Sequence, residues 1–95
     1  MAITAVETPV GFIVTGTTSA SDDITDNRIK LSAIYWLTPT TQGHKCAIQD
    51  KAGNEIVEFY CDNDNESLIM YFAGQHVDGL YSDDMDSGTL YVFTE

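Results

Sequence analysis

The chain has 95 residues, the size of one domain, and 43% of them are hydrophobic, which is enough for a single two-layer core. Fifteen Asp and Glu against four Lys and Arg give a formal net charge of −11. Such a surface repels phosphate backbones and argues against direct nucleic-acid binding, and no apolar run approaches the roughly 18 to 20 residues that span a bilayer.

The charge is unevenly spread along the sequence. All four basic residues lie within the first 51 positions. After Lys51 the sequence contains ten carboxylates and no Lys or Arg. This layout suits solvated loops, and it also permits a basic partner or mimicry of nucleic acid. The start of the chain, MAITAVETPV, lacks the pattern of a secretory signal, so we expect synthesis in a reducing cytosol.

The first predicted element is a short apolar run at residues 12–15, followed by the polar stretch 15–27, which predicts a loop or arm. Residues 1–27 are therefore expected to form an N-terminal arm, or an edge strand plus polar loop. Residues 28–95 are expected to form a β-sandwich domain.

The next element is RIKLSAIYWL, residues 28–37, which begins with clean alternation. Ile29, Leu31 and Ala33 share one face of a strand with this period of two. From 34 to 37 the run is continuously apolar. The pattern predicts a strand that begins half exposed and ends buried on both faces or under a neighbour.

The remaining elements follow at regular spacing, with turn residues between them. A hairpin at 44–61 is followed by the turn DNDNES and the strands LIMYF and AGQHVDGLY. The turn SDDMDSG and the strand TLYVFT complete the chain. A helical turn competes at 64–74, where a strand is the favoured interpretation. Six or seven short strands predict an all-β fold, a small antiparallel β-sandwich or barrel.

The hairpin contains both cysteines of the chain, Cys46 and Cys61. Two registers are possible: one pairs Asp50 with Asn54 and Cys46 with Glu58, and the other pairs Asp50 with Glu55 and Cys46 with Phe59. The first puts the cysteines on opposite faces, and the second separates their α-carbons by roughly 7 to 8 Å. A disulfide needs about 4.4 to 6.8 Å, so we expect buried core thiols.

Three acidic clusters resemble calcium loops in composition: Asp22, Asp23 and Asp26; Asp62, Asp64 and Glu66; and Asp83, Asp84 and Asp86. The second departs from an EF-hand loop because Ser67 replaces the required glycine and Ala73 replaces the closing glutamate. All three also suit hairpin turns, since Asp and Asn bond their own backbone there. We therefore predict no metal site.

Signatures of catalysis are missing from the sequence. No nucleophile elbow marks a serine or cysteine, and the segments GNE and AGQHVDG hold too few glycines to cradle a phosphate. We therefore predict no enzyme, no catalytic residues and no cofactor.

Aromatic residues are numerous, and adjacent pairs such as Tyr35–Trp36 and Tyr71–Phe72 must point to opposite faces of a strand. Either the aromatics form a two-layer core with tyrosine hydroxyls at its rim, or some of them form an interface with a partner. The candidate interface residues are Phe12, Ile13, Val14, Tyr35 and Tyr81.

Three stretches, RIKLSAIYWL, GHKCAIQDKAGNEIVEFYC and VDGLYSDDMDSGTLYVF, carry a resemblance that covers residues 28–95. The most telling pieces are DKAGNEI, DGLY and DSGTLYVF, in which a turn feeds directly into the next strand. In these features the chain resembles small all-β proteins found among the virion structural genes of tailed bacteriophages.

The resemblance implies a virion structural protein, first of all a capsid decoration or cement protein, and otherwise another head or tail component. Its partners would be the major capsid protein or other virion proteins, with homo-oligomers possible. Residues 1–27 would supply a strand to a neighbouring subunit's sheet edge, or remain an edge strand of their own sheet. The alternative from the charge layout is an acidic phage inhibitor that mimics nucleic acid and blocks a basic host protein.

Overall fold

A computed structural model describes residues 3–18 and 22–95, and these residues form seven strands and no helix. The strands are β1 (Ile3–Thr8), β2 (Gly11–Gly16), β3 (Asp22–Leu37), β4 (Lys45–Gln49), β5 (Glu55–Tyr60), β6 (Leu68–Met85) and β7 (Thr89–Thr94). All pairings between them are antiparallel. The all-β prediction is confirmed, as is a strand rather than a helical turn after residue 67.

The strands form one hydrogen-bonded sheet in the order β1-β2-β7-β3-β6-β4-β5. The sheet folds over itself because β3 and β6, with 16 and 18 residues, bend where their mutual register shifts between Leu31 and Ala33. Layer one contains β1, β2, β7, residues 33–37 and residues 68–72. Layer two contains β4, β5, residues 22–31 and residues 75–85.

The bends come from bulges inside strands, at places where the sequence predicts turns. Ala73 and Gly74 have left-handed φ angles of 52° and 81°, and Gly79 has a φ of 80°. The prediction of separate strands LIMYF and AGQHVDGLY is therefore wrong, whereas the turn predicted at SDDMDSG is present but confined to its last three residues, 86–88. These glycines kink one continuous strand, β6, and the turn begins only after Met85.

The N-terminal residues belong to the same sheet. β2 pairs with β7 as well as with β1, and the backbone N–H of Ile3 donates to the Asp22 carboxylate at 3.0 Å. The loop predicted for 15–27 is wrong at both ends, because β2 continues to Gly16 and β3 begins at Asp22. The boundary predicted at residue 27 falls inside β3. Residues 19–21 of that predicted loop lie outside the described residues.

The core lies between the two layers. Its fully buried side chains come from layer one (Val14, Ile34, Trp36, Leu90, Val92) and from layer two and the bend (Leu31, Cys46, Ile48, Leu80, Met85). Trp36 connects the two layers, because its ring stacks on the Phe59 ring of β5 with the ring centroids 6.1 Å apart. The indole N–H also donates to the Ser87 carbonyl oxygen at 2.8 Å, so the buried polar atom is satisfied.

The β4–β5 hairpin combines the two registers considered from the sequence. Cys46 lies opposite Phe59 along the strands, whereas the Asp50 N–H donates to the Asn54 carbonyl oxygen at the turn, and a bulge next to Ile48 reconciles the two. The prediction of buried core thiols is confirmed, since Cys46 and Cys61 are free and at most 2% exposed. Burial raises the pKa of the Cys46 thiol, which keeps it neutral.

Candidate functional site

A row of apolar side chains crosses the outer side of layer one. Directly opposed residues of neighbouring strands point to the same side of a sheet. The pairing registers place five such residues in one line across five strands: Val6, Ile13, Tyr91, Tyr35 and Ile69. This side of the sheet faces away from the core, whose residues occupy the alternate positions.

A second row lies beside the first, where Phe93 and Tyr71 flank Ala33. The Tyr35 ring makes edge-to-face contacts with Phe93 and with Tyr71, at centroid distances of 5.2 Å and 6.3 Å. We call Val6, Ile13, Tyr35, Ile69, Tyr71, Tyr91 and Phe93 the apolar face. It is open to solvent, since Tyr71 is 70% exposed and Val6 is 57% exposed.

The apolar face contains no charged side chain. Its residues after Val6 fall in stretches of the chain that have no Asp, Glu, Lys or Arg, namely 8–21, 31–44, 67–77 and 87–94. Glu7, next to Val6, lies opposite Phe12 and therefore points to the other side of the sheet. The fifteen carboxylates of the chain therefore lie outside the apolar face.

A groove of about 240 Å³ opens at the end of the face next to the β1–β2 turn. Its lining is mostly apolar and includes Val10, Phe12, Ile13, Tyr91 and Phe93. Val10 is 55% exposed at its rim. The groove gives the otherwise flat surface a place to receive an apolar side chain.

The outer side of layer two is charged. Lys45 lies 4.0 Å from Glu58 and 3.9 Å from Asp84, and the Tyr60 hydroxyl donates to Glu58 at 2.6 Å. Burial raises the pKa of the Asp84 carboxyl. A hydrogen bond with Asp86 and repulsion by its charge raise this pKa further, whereas the nearby Lys45 lowers it. The two layers thus present opposite chemistries to solvent.

Comparisons with protein families, with curated proteins and with solved structures find no match. The surface itself is therefore the feature that bears on function. Its chemistry suits association, because exposed apolar patches with aromatic residues are typical of protein interfaces.

The five candidate interface residues do not form one surface. Ile13 and Tyr35 lie on the apolar face, whereas Phe12 and Val14 point toward the core. Val14 is completely buried, so its side chain is not accessible to a partner. Tyr81 is on layer two, opposite Gln49, and its hydroxyl donates to the Asp26 carboxylate.

The adjacent aromatic pairs divide between core and surface. Trp36 is fully buried and Tyr35 half-buried, and Phe72 is half-buried beside the exposed Tyr71. Of the two alternatives for residues 34–37, burial on both faces is wrong, since only Ile34 and Trp36 are buried. Tyr35 is instead half-buried under its neighbours Phe93 and Tyr71. Sequence reasoning missed Val6, Ile69, Tyr71, Tyr91 and Phe93 as one surface; the charge-free stretches that contain nearly all of them were the available signal.

Carboxylates of the acidic clusters accept hydrogen bonds from backbone N–H groups. Asp64 accepts from the Gln42 N–H at 2.7 Å, and Asp86 accepts from the Lys45 N–H at 2.9 Å. The hairpin turn expected for the first cluster is wrong, since Asp22, Asp23 and Asp26 lie within β3. Within residues 3–18 and 22–95, no three His, Cys, Asp or Glu side chains converge in a way that holds a metal ion. The same residues contain no helix long and apolar enough to cross a membrane.

Proposed function

We propose that the protein is a virion structural protein of a tailed bacteriophage, a capsid decoration or cement protein that binds neighbouring capsid subunits through its apolar face. The observation that carries the proposal is the uncharged, solvent-exposed row from Val6 to Ile69, with Tyr71 and Phe93 beside it. Tyrosines at the centre of such a surface are typical of binding hot spots.

The opposite chemistry of the two layers supports an orientation on the particle. Burial of the apolar face against the major capsid protein removes apolar area from water, which favours association. The charged outer side of layer two, with Glu58 and Asp84, then points to solvent, where its negative charge keeps particles apart. A head or tail component other than a decoration protein fits the same surface.

A second candidate, an acidic inhibitor of a basic host protein, is favoured by layer two alone. That layer and the turns around it carry most of the ten carboxylates that follow Lys51. Charge mimicry weakens steeply as salt screens the interaction, whereas an apolar contact does not. Salt response therefore separates the two candidates.

The test is cosedimentation of purified protein with phage heads that lack it, at low salt and at about 0.5 M salt, where the screening length is about 4 Å. We expect saturable binding that persists at high salt. Absence of binding to heads contradicts the decoration role. Binding that disappears at high salt, together with capture by a basic host protein, supports the inhibitor instead.

A further inference from the structure

The described sheet has unpaired strand edges on β1, on β5, on residues 22–30 of β3 and on residues 68–80 of β6. The β3 stretch contains five charged residues, and residues 75–80 of β6 contain Asp78. Only residues 81–85 of β6 pair with β4, so the first half of β6 has β3 on one side and no described strand on the other. β1 carries Glu7, and β5 carries Glu55 and Glu58. Charges on an edge strand normally prevent pairing with another chain, and residues 68–72 have none.

This uncharged edge has defined ends. At its C-terminal end Ala73 and Gly74 adopt left-handed φ angles and kink β6. At its N-terminal end the Ser67 hydroxyl accepts a hydrogen bond from the Thr38 N–H at 3.0 Å. The five residues between span about 16 Å, with Met70 at the centre. Ile69, Met70 and Tyr71 are 46%, 43% and 70% exposed, so the side chains at this edge are also open.

We propose that residues 68–72 pair antiparallel with the same residues of a second copy, giving a two-fold dimer in which Met70 lies opposite Met70. In this register Ile69 of each copy lies opposite Tyr71 of the other. Aromatic and β-branched residues are favourable cross-strand partners, so the segment is complementary to itself. The backbone groups that β6 leaves unpaired are then satisfied by strand addition.

Two features select a second copy as the occupant. A two-fold axis normal to the sheet keeps both apolar faces on the same side, so the row that ends at Ile69 continues into the second copy. In addition, no carboxylate lies within the pairing segment, so the net charge of −11 opposes the dimer only through more distant groups. Salt screens that repulsion, and dimerisation is therefore strengthened by salt.

The dimer goes beyond the proposed function and does not depend on it. A five-residue edge is a small contact compared with the roughly 1,200 Å² of stable complexes, so the association is concentration-dependent. Sedimentation velocity from about 10 µM to about 1 mM brackets weak association. We expect a shift from 10.5 kDa toward twice that mass, at lower concentration in about 0.5 M salt than in low salt.

The register is tested by charges placed on the two-fold axis. Met70→Lys and Met70→Glu each put like charges opposite one another, and each is expected to weaken dimerisation at least tenfold. An equimolar mixture of the two variants pairs Lys with Glu, and dimers are expected to return. Val6→Lys is the matched control, because Val6 is at least as exposed as Met70, 57% against 43%, but lies at the opposite edge of layer one.

Three results would overturn the dimer: a wild-type protein that is monomeric throughout the range, Met70 variants that dimerise like the wild type, or Val6→Lys disrupting the dimer as strongly as they do. Circular dichroism of each variant establishes that it is folded. The cosedimentation assay distinguishes failure of the dimer from failure of the proposed function. If the protein is monomeric but still binds heads, the dimer is wrong and the proposed function stands.

Discussion

Trp36→Ala is expected to lower the free energy of unfolding by about 3 to 5 kcal/mol. The indole is completely buried, stacks on Phe59 across the two layers and donates to the Ser87 carbonyl oxygen. Truncation leaves a cavity at the junction of the layers and an unsatisfied carbonyl group. Since domains of this size have about 5 to 15 kcal/mol in total, the variant should be close to unfolding at 37 °C.

Denaturation with urea, followed by circular dichroism, measures this loss, because Trp36 is the single tryptophan and the variant has no indole fluorescence. Trp36→Phe is the control: it retains a ring against Phe59 and removes the N–H donor, so we expect a loss of about 1 to 2 kcal/mol. Equal midpoints for Trp36→Ala and the wild type would show that the two layers are not joined through this residue.

Tyr35→Lys is expected to weaken binding to phage heads about 30-fold or more, which corresponds to the loss of a hot-spot residue. Tyr35 is at the centre of the apolar face and contacts Phe93 and Tyr71, so a lysine there puts an unpaired charge in the middle of the proposed interface. Quantitative cosedimentation at several protein concentrations gives the change in affinity.

Tyr60→Lys is the matched control for this substitution. Tyr60 is 53% exposed on the charged side of layer two, which the proposed orientation leaves in solvent. Its affinity for heads should be unchanged within twofold. If Tyr60→Lys weakens binding as much as Tyr35→Lys, the capsid contact does not lie on the apolar face. Urea denaturation of both variants distinguishes lost binding from lost folding.

Local patterns in the sequence predict the strands that are regular. The alternation in residues 28–31 and the Asp50 turn come from short-range rules, and both are present in the structure. The prediction that Ala33 shares a face with Ile29 and Leu31 is wrong, because the bulge between Leu31 and Ala33 puts Ala33 beside Phe93 and Tyr71 on the outer side of the sheet.

Gly74 and Gly79 are of a residue type that is common in turns, and Ala73 lies next to one of them. The continuity of β6 was therefore not predictable from these residues. A bulge and a turn use the same backbone conformations, and only the pairing with β3 distinguishes them.

The apolar face shows a different limit. Each strand reveals which residues share its own two sides, but not which side faces the core. Val6, Ile13, Tyr91, Tyr35 and Ile69 form one row only because five strands pair in a particular register. Sequence alone therefore identified Ile13 and Tyr35 as candidates and grouped them with the buried Val14 and with Tyr81 of the other layer.

Hydroxyl-radical footprinting of the protein bound to phage heads tests the central claim most directly, because the five tyrosines are divided between the two outer sides. Tyr35, Tyr71 and Tyr91 lie on the apolar face, and Tyr60 and Tyr81 lie on layer two. We expect oxidation of the first three to fall on binding while Tyr60 and Tyr81 react as in the free protein. Protection of Tyr60 and Tyr81, with Tyr71 still reactive, would contradict the assignment of the apolar face as the binding surface.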